Sequence, residues 1–294
     1  MIKSVHAAIL TRWTLVSVFG LFGLFGLFPG AASHWRSWLS EHALLDGLTG
    51  SGWLVALLMA AYSFLIAALL GFPGLSAGWR RSGYRLAAFY GGLVALLVII
   101  NPFWLSDLHV LTTFRDGHTQ LISLVLPGLA LWTAGTEGTG RTGRDNRFAR
   151  EWGRHLMVAG LILFMVFVGL VKIWPTEADY ARAVYANSFY KWLGSGETLN
   201  TVLVWTGYGQ IIAALALAGY WFSRPVFRLG LAMMAFWQLH AYLILVQPGL
   251  EWIDFETETG FAVGVTLVWA LKLTWVTAVV VVLASERQRR RLWP

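Results

Sequence analysis

The chain has 294 residues, of which 57% are hydrophobic and only 13% charged, with a mean hydropathy of +0.62. A water-soluble domain carries roughly twice that share of charge, so a soluble fold is excluded. The absence of cysteine removes disulfides, thiolate metal sites, iron–sulfur clusters and c-type haem attachment. The formal charge of +7 sits in loops and at the C-terminus, where it reads as a topology signal rather than a nucleic-acid surface.

Apolar runs predict eight membrane spans, near 14–33, 52–71, 84–104, 119–135, 155–174, 199–222, 226–247 and 261–284. The first contains GLFGLFGLF, whose Gly20, Gly23 and Gly26 make a slanting groove for a neighbouring helix; Gly30 extends it to Pro29. Lys3 and Arg12 precede this run, which is read as an uncleaved first helix rather than a signal peptide. The fourth span is the shortest and carries Pro127 and Gly128, which predict a kink or a partly re-entrant segment. Arginines follow spans two, four, six and eight, whereas Glu251, Asp254, Glu256 and Glu258 follow span seven. The positive-inside rule therefore places both termini in the cytoplasm.

Residues 136–154, rich in glycine and arginine, read as a cytoplasmic linker between residues 1–135 and 155–294. The two sides of it are alike. A shift of 146 positions sets Gly23 on Gly169, Pro29 on Pro175, Arg36 on Arg182, Tyr62 on Tyr208, and the run Ile66–Leu69 on Ile212–Leu215. After a small indel, Arg85-Leu86 falls on Arg228-Leu229 and Trp132 on Trp275. A register held across Pro, Arg, Tyr, Gly and Trp points to a duplicated four-helix unit. An even number of spans per unit makes it a parallel repeat. In each unit a first helix ends at an aromatic-proline pair and leads to an outer segment rich in Trp and Tyr, which suits the membrane interface.

The stretch from Gly169 through Lys172, Trp174, Pro175, Glu177 and Ala178 to Asn187 and Ser188 resembles the first-helix signature of the DoxX/DoxD-like membrane protein superfamily and its reactive-chlorine-resistance relatives. The motif covers about thirty residues, and the four-span unit fits the whole second half. Members are usually single units, so an eight-span chain departs from the pattern, with the first half as a degenerate copy. The resemblance implies membrane redox biology in a bacterial inner membrane. That covers quinone-linked oxidation, oxidative-stress defence and maturation of periplasmic redox enzymes, with a membrane or periplasmic redox partner.

Ionisable groups within a span are costly unless they face protein or water. Lys272 lies about 16 Å deep in span eight, with Tyr208, Gln210 and Gln238 at similar depth. His240 is nearer the outer surface, and Lys172 and Glu177 sit above the layer. In the first half Lys172 becomes Gly26, Glu177 becomes Ala31, Gln210 becomes Phe64 and Lys272 becomes Leu129; Tyr208 alone keeps its counterpart, Tyr62. The second half is therefore the expected seat of chemistry, with Lys272 and His240 as catalytic candidates. Tyr208, Gln210, Gln238, Lys172, Glu177 and Trp237 are candidates for holding a quinone. Donors at the quinone oxygens and a nearby cation would favour the charge that develops on reduction.

Plainer roles compete at each position. Lys172 is equally suited to snorkelling or to pairing with Glu177, and His240 to packing. Gln210 and Gln238 suit bridging between helices, and the tryptophans suit lipid contact. No facing histidines for haem, no metal cluster and no phosphate loop stand in the chain. The function expected is a quinone-interacting membrane subunit. A non-catalytic structural or assembly subunit comes second, and a small-solute transporter third.

Overall fold

The structure, a computed structural model, describes residues 4–27, 46–100, 123–173, 196–245 and 273–285, with 31, 32, 36, 39 and 192 between them. Among the described residues all regular structure is helical. The principal helices are α1 (Ser4–Phe25), α2 (Gly52–Gly71), α3 (Ala77–Ile100), α4 (Leu126–Thr136), α5 (Gly143–Ile173), α6 (Glu197–Leu217), α7 (Arg224–Leu245) and α8 (Leu273–Ser285). Helices within Val5–Leu24, Gly52–Gly71, Gly143–Leu170 and Glu197–Trp221 are long and apolar enough to cross a membrane. Their outward residues are apolar too: on α2, Leu54, Leu57, Leu58 and Leu65 are all exposed. A helix facing water would place polar side chains there.

One boundary differs from the sequence expectation: helix α1 begins at Ser4 rather than near residue 14, and ends at Phe25. Pro127 occupies the first turn of α4, directly after a 3-10 turn at Ser123–Val125, where a missing N–H costs nothing. Residues 143–154 of the expected linker are helical, because α5 starts at Gly143 and runs unbroken to Ile173. Its start is fixed by a reciprocal cap, in which the Asp145 amide donates to Thr142 Oγ1 and the Thr142 amide to Asp145 Oδ2, at 3.1 and 3.0 Å. Residues 137–142 make the turn, with Gly138 at a φ of 70°.

Each helix packs on its neighbour in sequence from α1 to α3, and again from α3 to α4, α5, α6 and α7. The first and last described helices also meet. Trp275 of α8, fully buried, lies 5.7 Å from Phe19 and 6.5 Å from Phe22 of α1, centroid to centroid. Tyr90 of α3 stands edge-on to Phe19 at 5.7 Å. Of the three glycines in GLFGLFGLF, Gly20 faces open space, whereas a methyl on Gly23 would lie 2.7 Å from the Phe64 ring and one on Gly26 2.8 Å from Ala60. The seam between α1 and α2 is therefore built on the last two.

At the turn end of the bundle, α1, α3 and the α4–α5 turn are tied by charge. Glu137 accepts from Arg12 at 3.1 Å and from the Tyr84 hydroxyl at 2.8 Å, and Arg81 donates to the Thr139 carbonyl.

Candidate functional site

The other end of α5 carries Lys172 in its last turn. Glycines bring it to its partner. Gly169 of α5 and Gly207 of α6 face each other so closely that a methyl on either would lie within 2.8 Å of the other's carbonyl oxygen. Such small-residue contacts let membrane helices approach backbone to backbone. At that separation Lys172 Nζ donates to Gln210 Oε1 at 3.0 Å and to the Val168 carbonyl at 3.3 Å. Both side chains are buried, Lys172 at 7% exposure and Gln210 at 5%. An ammonium out of water needs such oxygens, since its bare burial costs several kcal/mol.

Helix α7 presents two faces to this pair. Trp237 and His240, three positions apart, lie on one side, their rings edge-on at 5.3 Å. Trp237 packs on Gly209 of α6, next in sequence to Gln210, and His240 is buried. Trp237 Nε1 is buried and has no hydrogen-bond partner among the described residues. Gln238 points to the other side, where its Nε2 donates to the Leu273 carbonyl at 2.9 Å and pins α7 to α8. Tyr242 and Thr277 share a second hydrogen bond across the same seam, at 3.1 Å.

The structure thus pairs Lys172 with Gln210 across α5 and α6, sets Trp237 beside His240 on α7, which packs on α6, and gives Gln238 a bridging bond to α8. Tyr208 is not among them. Two positions before Gln210, it lies nearly opposite on α6, is 47% exposed, and stands against Trp205 rather than Lys172. Its counterpart Tyr62 behaves differently, donating to the Leu86 carbonyl of α3 at 2.7 Å. Lys272 and Glu177 lie outside the described residues, as do the acidic loop Glu251–Glu258 and most of the outer aromatic segments. No group of metal-ligating side chains occurs among the described residues.

Sequence reading missed the Gly169–Gly207 crossing, although the copy comparison had already kept Gly169 in register. It also missed Glu137, an acid among arginines whose spacing from Arg12 carries no signal.

No protein-family profile, curated protein or solved structure matches the chain.

Proposed function

We propose that the chain is a DoxX-like, quinone-interacting subunit of a bacterial inner membrane, with eight spans in two tandem four-helix units and both termini in the cytoplasm. The quinone head sits between the Lys172–Gln210 pair and the Trp237–His240 pair, and Lys272 and Glu177 remain candidates for holding it on the sequence alone. Electrons come from a membrane or periplasmic partner. The observation that carries the reading is a buried ammonium held on Gln210 in an apolar bundle, with a buried indole N–H on a neighbouring helix that has no acceptor among the described residues. Each is a donor that suits a carbonyl oxygen of a ligand. The surrounding hydrocarbon suits a prenyl tail. The duplication draws support from geometry as well as sequence: Gly23 meets Phe64 and Gly169 meets Gln210, pairs that the shift of 146 superposes.

Quinone extracted from the purified full chain and quantified by mass spectrometry tests the site. Lys172→Met should lower the retained quinone about ten-fold, the worth of a charge-assisted hydrogen bond. Tyr208→Phe should not change it. Wild-type protein that binds no added short-chain quinone would sink the proposal. Topology has its own test, because the chain has no cysteine. A single cysteine at Thr142 should label only from the cytoplasmic side, and one at Thr257 only from the outside.

A structural subunit is the second reading, favoured by one observation: Lys172, Gln210 and Gln238 already bond to protein atoms. It expects a stoichiometric partner after mild-detergent purification and no quinone.

A further inference from the structure

Where α7 begins and α8 ends, a cleft of about 330 Å³ opens between them. Arg224 and Arg228 line its end, one turn apart and exposed; Phe227 of α7 and Val280 of α8 form walls, and Ala232 and Ala235 leave room further along. From Arg224 to Ala235 the helix advances roughly 16 Å, the reach of a good part of an acyl chain. Among the described residues neither arginine has a carboxylate within ion-pair distance.

The first half shows what is missing. The register that sets Arg85-Leu86 on Arg228-Leu229 and Trp132 on Trp275 also sets Arg81 on Arg224, Tyr84 on Phe227 and Glu137 on Val280. In the first half Tyr84 and Arg12 hold Glu137, which closes that end of the bundle with the protein's own negative charge. In the second half both the hydroxyl and the carboxylate are gone, while the arginines remain and the space is open. Among the described residues no carboxylate takes Glu137's place.

We propose that this cleft binds the phosphate and one acyl chain of an anionic phospholipid, which supplies the charge that Glu137 supplies in the first half. A phosphodiester fits two guanidinium groups, and the apolar walls accept hydrocarbon. A zwitterionic headgroup brings its own cation against Arg224 and Arg228. The sequence that follows α8 carries Arg287, Arg289, Arg290 and Arg291 against Glu286, a net positive charge that favours an anionic leaflet. The inference rests on the membrane reading and is independent of the quinone.

Native mass spectrometry of the full chain in neutral detergent, with phosphatidylglycerol and phosphatidylcholine added in turn, tests it. The chain should retain phosphatidylglycerol preferentially, and the pair Arg224→Gln with Arg228→Gln should weaken that binding roughly thirty-fold. Ala235→Phe should exclude the lipid with both arginines intact. Phe227→Tyr with Val280→Glu, which transplants the first half's closure, should abolish the rise in melting temperature that phosphatidylglycerol gives. Lys172→Met should leave lipid binding unchanged, so failure here is separable from failure at the quinone site. Equal retention of both lipids, undiminished binding in Ala235→Phe, or the same thermal shift from soluble glycerol phosphate would each overturn the proposal. If the arginine double variant loses its helical circular dichroism, the Ala235 and Phe227–Val280 variants decide the matter.

Discussion

Gly23 of α1 lies against the ring of Phe64, whereas its counterpart Gly169 of α5 lies against the backbone of Gly207 and the side chain of Gln210. The first crossing closes with hydrocarbon; the second closes backbone to backbone and holds Lys172 on Gln210. Because the apolar version packs, stability alone does not call for the buried cation, whose removal from water is unfavourable. At the opposite end of the bundle the polarity is reversed: Arg12, Tyr84 and Glu137 join the first half, and Phe227 and Val280 face a cleft in the second. Each half thus ties a charged group to protein partners at one end, and the two ends differ.

That contrast can be broken by substitution. The largest loss is expected from Glu137→Ala, which leaves Arg12 and Tyr84 without their shared acceptor and should cost about 3 kcal/mol in thermal or denaturant unfolding. A loss under 1 kcal/mol would mean that water replaces the carboxylate. Next comes Gly169→Ala, whose methyl meets the Gly207 carbonyl at 2.8 Å; about 2 kcal/mol is expected from the melt, with weaker quinone retention as α5 and α6 part. Gly23→Ala meets only the Phe64 ring, which can turn aside, so it should cost less. Tyr62→Phe removes one hydrogen bond to Leu86 and should cost about 1 kcal/mol. Tyr208→Phe, on the exposed face of α6, should stay within about 0.5 kcal/mol. Equal effects at Tyr62 and Tyr208 would erase the difference between the halves at this position.

The helical character was legible because apolar runs of this length have few other uses. Lys172 and Gln210 were each legible as polar gains over Gly26 and Phe64, but their mutual bond was not, and Lys172 was matched with Glu177 instead. Tyr208 shares its depth with Gln210 but not its face, because two positions turn a side chain to nearly the opposite side of a helix and depth alone does not show it. The helical start at Gly143 was not read from the arginine-rich segment, although Thr142 and Asp145 already spelled the cap that begins α5. Glu137 was illegible since its partners come from helices far apart in sequence, and tertiary ion pairs leave no local pattern. Lys272 and Glu177, which carried much of the expected chemistry, fall outside the described residues.

The meeting of Phe19 with Trp275 sets a condition on biogenesis. At typical rates of chain synthesis, roughly 10 to 50 s separate the emergence of these two residues from the ribosome. Tyr90 of α3 reaches Phe19 and Phe22 early in that interval, but the side of both rings that Trp275 covers stays open until α8 arrives. A chain truncated before Trp275 therefore leaves part of its first helix exposed to quality control.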